Sequence, residues 1–267
     1  MKLCGVWGRP YLDLTGLVDT APLAAIDEEI CRALPHLAPA YTGGTLKWMG
    51  VVAPWQVDDG YRDAMQAVQE MSPVERRAFV AMNPDVPPLE DDDAPLGDET
   101  DRPFNHAQCV YLKARHGVYF PWKTCVHLVE NHRWEDKHSG AGKGFTEESE
   151  RWLPLTVAYV RALPFREIGR AVLFGVDEND HAPFHRDSEP GRELSIAQSI
   201  SIDPRGNKGL VLRDAEGGSR TEITARAYWF NDMDYHGVEP RPVFRYSIRI
   251  DGVFDPAFAR KLRDAFG

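Results

Sequence analysis

Beyond Arg170 the chain is written in short apolar runs separated by turn residues, and this restricts the fold more than any other feature. The runs occupy 171–176, 194–202, 209–212, 221–230 and 243–250, with a turn at Glu216-Gly217-Gly218-Ser219 and a closing helix capped by Asp255-Pro256. Within the second, Leu194, Ile196, Ile200 and Ile202 alternate with other residues around Gln198. Period-two alternation marks strands with one dry face. Several such strands at turn-separated spacing close into a sandwich or barrel.

The residues ahead of this region read as mixed and mostly helical. Leu23, Ile26, Ile30 and Leu34 recur at helical spacing, and Ser72-Pro73-Val74-Glu75 is a capping box with proline at the first helical position, opening a helix through Met82. Residues 108–112, 118–120 and 124–129 read as strands, 140–144 as a flexible link and 155–163 as a short helix. Neither an internal repeat nor a domain linker stands out. The expectation is therefore one α+β domain over 1–267: a β core at 166–254, a mainly helical N-terminal elaboration at 1–165 and a C-terminal helix at 255–267.

Charge narrows the partners. Thirty-one basic against 41 acidic residues give a formal charge of −10, and nucleic-acid binding needs clustered Lys and Arg, so no nucleic-acid partner is expected. Part of the acidity falls in 90–101, broken by Pro95 and Gly97, and reads as a solvated loop. Cys4, Cys31, Cys109 and Cys125 show no paired spacing, which argues against a disulfide framework. No stretch approaches the ~20 apolar residues of a membrane span, so a cytoplasmic protein without a membrane partner is expected.

The candidate chemistry lies in His185-Arg186-Asp187, His236 and Arg245-Tyr246-Ser247. In an extended segment His185 and Asp187 point to the same face and can grip one ion together. Pro183 rules out a helical pairing of His181 with His185. Two imidazoles and one carboxylate on one side of a metal leave the other side open, as non-haem Fe(II) requires to activate O₂. In the last strand Phe244, Tyr246, Ile248 and Ile250 form an apolar face, and Arg245, Ser247 and Arg249 the opposite one. Arginines on an inward face call for an anion, most naturally a carboxylate; an outward face paired with surface acids is the blander reading. His181 is a further group that could reach the site. His127 and His132 lack a carboxylate at ligand spacing; His36, His106, His116 and His138 read as surface or loop residues, and Trp122, Trp134 and Trp229 as packing.

On His185-Arg186-Asp187, His236 and an arginine nine residues beyond it (245 − 236), the chain resembles the Fe(II)/2-oxoglutarate-dependent oxygenases over roughly 165–254. The stretch from Leu163-Pro164-Phe165 to Arg170, and Tyr228-Trp229-Phe230-Asn231, are most similar to the aspartyl/asparaginyl β-hydroxylase-like branch, with cis-proline hydroxylases nearby. Aspartyl hydroxylases proper often lack the carboxylate ligand, whereas Asp187 is present, and its presence also argues against a halogenase. The resemblance implies a double-stranded β-helix (jelly-roll, cupin-like) core. It implies Fe(II) on His185, Asp187 and His236, with 2-oxoglutarate and O₂ as co-substrates and Arg245 with Ser247 on the distal carboxylate. Arg249 is the alternative anchor. The implied reaction hydroxylates a carbon of an amino acid, free or in a peptide, and releases succinate and CO₂. Two other readings stay open: a cupin-like module binding a metal or anion without redox turnover, and, less favoured, a zinc hydrolase on the same ligands.

Overall fold

The computed structural model describes residues 3–37, 49–51, 61–91, 94, 104–118, 124–130, 136–187, 197–214 and 218–267. In chain order these hold β1 (Tyr11–Asp13), α1 (Leu23–Ala33), a 3₁₀ turn (Leu34–His36), β2 (Met49–Val51), β3 (Tyr61–Asp63), α2 (Ala64–Gln69), α3 (Pro73–Ala81), α4 (His106–His116), β4 (Thr124–His127), α5 (Glu147–Trp152), α6 (Pro154–Ala162), β5 (Phe165–Val176), β6 (Ala182–His185), β7 (Ser199–Ile202), β8 (Leu210–Arg213), β9 (Arg220–Glu222), β10 (Ala227–Phe230), β11 (Tyr235–Val238), β12 (Arg245–Phe254) and α7 (Pro256–Phe266).

Helices and antiparallel sheets are thus mixed, with the strands concentrated where alternation predicts them. One sheet has the order β1-β10-β7-β12-β5-β4, a second β6-β11-β8-β9, and β2 pairs with β3. The N-terminal region is more than a helical cover, because β1 and β4 form the two edges of the six-stranded sheet.

β12 organises that sheet. It pairs with β5 along its whole length and with β7 over Ile248–Asp251. Its apolar alternates Tyr246, Ile248 and Ile250 are fully buried in the same core as Leu23, Ile26 and Ile30 of α1, Val160 of α6 and Phe258 and Leu262 of α7. Burying each such side chain contributes roughly 1.5–3 kcal/mol. The helices therefore fix which face of β12 is dry and leave the alternates Arg245, Ser247, Arg249 and Asp251 on the other. A separate core joins α2, α3 and α4 through Val68, Phe79, Leu112 and Val118.

Three expectations change. Residues 108–112 are helical: Asn105 and Gln108 form a reciprocal capping box, Gly117 closes α4 with a left-handed φ of 63°, and Cys109 and Leu112 bury at a three-residue interval. The run 221–230 is two strands in different sheets. Ile223 and Ala225 are buried between them as the chain crosses over, so apolarity stays continuous through a break in pairing. Residues 140–144 are pinned, with Gly140 N–H on Glu167 Oε1 at 2.6 Å and Lys143 Nζ on the Gly169 carbonyl at 2.9 Å. A Cβ on Gly140 would meet the Ile168 carbonyl at 2.7 Å, so a side chain there would break the contact. Residues 119–120 and 194–196 of the expected strands, most of 90–101, and His132, Trp122 and Trp134 lie outside the described residues. Among those described, no helix is long and apolar enough to cross a membrane.

Candidate metal centre

Sheet pairing brings His185 and His236 together. β6 and β11 are antiparallel neighbours with these two residues in register. Gly237 lets the strands close: a Cβ there would meet the Ala182 carbonyl at 2.8 Å and the Phe184 nitrogen at 3.1 Å. The imidazole centroids lie 4.3 Å apart. Asp187, two residues past the end of β6, is fixed by its own N–H, which donates to the Asp232 carbonyl at 2.8 Å.

One atom each of His185, Asp187 and His236 can face a common point, all three within 4.8 Å of one another. His185 Nε2 is 3.5 Å and His236 Nε2 3.7 Å from Asp187 Oδ1. Donors about 2.1 Å from a shared ion would stand roughly 3–3.5 Å apart; the two Asp187 separations lie at and just beyond the upper end of that range, and the three could hold one metal. His236 Nδ1 sits 2.9 Å from the Asp234 carbonyl. A proton on Nδ1 therefore donates there, and Nε2 keeps its lone pair toward the site. The loop that carries this carbonyl is itself tied down. Both Asp234 carboxylate oxygens accept N–H groups, Cys4 at 2.5 Å and Gly5 at 2.7 Å, and Asn231 Nδ2 donates to the Gly5 carbonyl.

Electrostatics suits the same role. Burial, with His185 beside it, pushes His236 down to about 3, so its ring is neutral at physiological pH. Burial alone would raise the Asp187 carboxyl, but the His185 hydrogen bond, the His236 and Arg249 charges and that of His185 outweigh it and hold the group well below the usual range. With His236 neutral, the fixed cation maintaining that anion at neutral pH is Arg249, whose Nη1 lies 3.5 Å from Asp187 Oδ2.

The triad opens into a cavity between the two sheets. Phe174, Ser201, Tyr228, Phe230, Ser247 and Arg249 contribute from the six-stranded sheet, and Ala182, Leu210, Gly237 and Val238 from the other. Lys208, just ahead of β8, also lines it. A larger cavity of ≈ 740 Å³ between α1, α6 and α7 is mostly apolar and lies away from the triad.

The expected anion-binding residues separate. Ser247 and Arg249 line the cavity; Arg245 is fully buried and does not. Arg245 donates through Nη1 to the Glu239 carbonyl (2.8 Å) and through Nη2 to that of Asp180 (3.1 Å), and its Nε has no hydrogen-bond partner among the described residues. Burial and the Arg241 charge depress its affinity for protons. Arg249 is taken up by the protein's own acids, Asp232 and Asp251 at 3.1 Å each besides Asp187. His181 does not line the cavity.

Lys208 is the residue that sequence reading passes over. It is 4% exposed, its Nζ donates to the Phe174 carbonyl at 2.8 Å, and burial together with the Arg245 charge outweighs Asp203 to push it down to about 7. Nothing in Gly206-Asn207-Lys208-Gly209 distinguishes it from a turn lysine. Asp251 was legible: it continues the Arg245, Ser247, Arg249 alternation by one more step.

No protein-family model and no curated protein sequence matches the chain. Solved structures overlay parts of it. A prolyl-4-hydroxylase from Pseudomonas putida does so at 14% identity over 40% of this chain and 65% of that one, with a TM-score of 0.26. An oxidoreductase of the 2OG-Fe(II) oxygenase family from Burkholderia pseudomallei does so at 14% identity, over 48% and 66%, with a TM-score of 0.31. A cupin domain from Bordetella pertussis overlays 31% of this chain and 78% of its own at 12% identity, TM-score 0.22. The first two are covered over slightly less than two thirds of their length. Overlaps this shallow assign neither fold family nor activity, so what the chain can do must come from its own side chains.

Proposed function

We propose that the chain is an Fe(II)- and 2-oxoglutarate-dependent dioxygenase. It hydroxylates an aliphatic or side-chain carbon of an amino acid, free or within a peptide, and releases succinate and CO₂. The two sheets facing the cavity are taken as the halves of a double-stranded β-helix, and 1–267 as one oxygenase domain in which 1–165 shapes the approach to the site. The amino-acid substrate class rests on the sequence resemblance around 163–170 and 228–231.

The observation that carries the reading is the coexistence, around one cavity, of three side chains that could hold a metal and the buried amine of Lys208. His185 and His236 offer ring nitrogens and Asp187 one negative charge, a donor set suited to Fe(II) with positions left open. Bound there, iron would let O₂ act as the oxidant, one oxygen atom passing to the substrate carbon and the other to succinate as 2-oxoglutarate loses CO₂, and the protein would supply placement. Lys208 and Ser247, both at the cavity wall, would hold the far carboxylate of the co-substrate. Arg245, buried behind them, adds positive potential. Phe174, Tyr228 and Phe230 exclude water around the triad.

The test is succinate formation by the full chain with Fe(II) and 2-oxoglutarate across candidate amino acids and peptides. Turnover that requires both, and is lost in Asp187→Ala, is expected. Unchanged turnover in that variant would refute the assignment. A binding module without redox turnover predicts metal and anion binding by calorimetry and no succinate, even uncoupled. In Arg245→Ala the 2-oxoglutarate KM rises with iron retained, whereas iron loss equal to that of His236→Ala contradicts the assigned roles.

A further inference from the structure

The two oxygens of Asp187 have different neighbours. Oδ1 lies 3.5 Å and 3.7 Å from the histidine Nε2 atoms, while Oδ2 lies 3.5 Å from Arg249 Nη1. A contact of that length is a charge–charge attraction rather than a full hydrogen bond, but it acts in a buried setting where charges are little screened. Arg249 cannot move to follow an external ligand. Its Nε is held by Asp251 Oδ1 and its Nη2 by Asp232 Oδ2, both at 3.1 Å.

Each of those acids is anchored in turn. Arg170 Nε and Nη2 meet Asp251 Oδ2 at 2.7 and 2.6 Å, from the position directly across the β5–β12 ladder. Lys137 Nζ meets Asp232 Oδ2 at 3.3 Å. Three acids (Asp187, Asp232, Asp251) and three bases (Lys137, Arg170, Arg249) thus form one chain of contacts ending on a single oxygen of the metal-facing carboxylate.

We infer that Arg249 is a positioning residue that holds Oδ2 of Asp187 away from the metal, so that the carboxylate offers the ion Oδ1 alone. This rests on the metal-site reading above, and it takes Arg249 out of the role of co-substrate anchor. Its consequence is a count of positions. A carboxylate gripping through both oxygens would occupy one more place on a six-coordinate ion, and once a chelating 2-oxo acid had filled the remaining two, none would be left for O₂. Arg170, Asp251, Lys137 and Asp232 serve to keep the guanidinium in place.

The experiment loads the full chain with Co(II) and records the carboxylate infrared bands with ¹³C-labelled aspartate, alongside the visible spectrum, which reports coordination number. Wild-type protein is expected to show an Asp187 carboxylate bound through one oxygen. Arg249→Gln shifts it toward two-oxygen binding and raises the coordination number with Co(II) still bound, while Arg249→Lys recovers part of the wild-type signature. Two-oxygen binding in wild-type protein overturns the inference, as does an Arg249→Gln spectrum identical to wild type. Should Arg249→Gln not fold, the wild-type bands and Asp232→Asn, which removes the charge holding Nη2, decide: one-oxygen binding that persists unchanged in Asp232→Asn also overturns it. Wild-type protein that binds no Co(II) at all instead refutes the metal-site reading beneath.

Discussion

Replacing Lys208 by Met keeps an unbranched side chain in place and removes one buried charge from the cavity wall. In the proposed complex that charge meets the far carboxylate of 2-oxoglutarate. A charge-assisted hydrogen bond contributes about 1.5–3 kcal/mol, or roughly ten- to a hundredfold in affinity. The full effect requires a protonated amine. Because burial and Arg245 bring Lys208 down to about 7, wild-type protein is mostly charged at pH 6 and loses about tenfold in affinity per pH unit above 7, until the pKa in the complex is reached. The difference between wild type and variant is therefore largest near pH 6 and narrows toward pH 8. The assay is calorimetric titration of 2-oxoglutarate into Mn(II)-loaded protein at several pH values, in two buffers of different ionisation heat. Wild-type binding takes up a proton near pH 7–8 and the variant does not. A 2-oxo acid without the far carboxylate, such as 2-oxobutyrate, binds both proteins alike. Equal 2-oxoglutarate affinities at pH 6, or a loss shared by 2-oxobutyrate, would refute the assignment.

The legible part of this molecule is what alternation and spacing can encode. The apolar face of β12 was readable because Tyr246, Ile248 and Ile250 repeat every second residue, and the opposite face followed from it. The pairing of His185 with Asp187 was readable because extended backbone puts both on one side. Pairing was not. That His236 sits in register with His185 depends on β6 and β11 closing over Gly237, a contact between segments some fifty residues apart (236 − 185). Lys208 was hidden because burial, rather than residue type, makes it unusual. α4 was misread because Cys109 and Leu112 lie within a stretch also rich in strand-forming residues, and the deciding signals were the flanking Asn105 and Gly117. Arg245 and Arg249 look alike in sequence; their different partners arise from Asp232 and Asp251 on one side and main-chain carbonyls on the other.

Removing the charge of Lys208 should also stabilise the unliganded fold. Its pKa lies below that of an unfolded lysine, so the unfolded chain binds more protons and wild-type stability climbs as pH rises from about 7 toward 10; thermal melts of Lys208→Met should exceed wild type most at pH 6, and an equal or lower Tm there contradicts the depressed pKa. Gly237→Ala forces β11 away from β6, costing about 1–3 kcal/mol by overpacking and weakening Co(II) binding, measured by melting and by metal titration; an unaltered metal affinity means the close approach does not set the ligand geometry. Asn105→Ala removes the α4 cap and should cost about 1 kcal/mol, read by denaturant unfolding, with metal affinity untouched because α4 belongs to a separate core.

The most direct measurement is anomalous diffraction at the iron edge from crystals grown anaerobically with Fe(II) and 2-oxoglutarate. A single iron peak bonded to His185 Nε2, His236 Nε2 and Asp187 Oδ1, with the far carboxylate of the co-substrate against Lys208, is the expected result. Iron bound elsewhere, or a triad whose three donors do not share one ion, contradicts it.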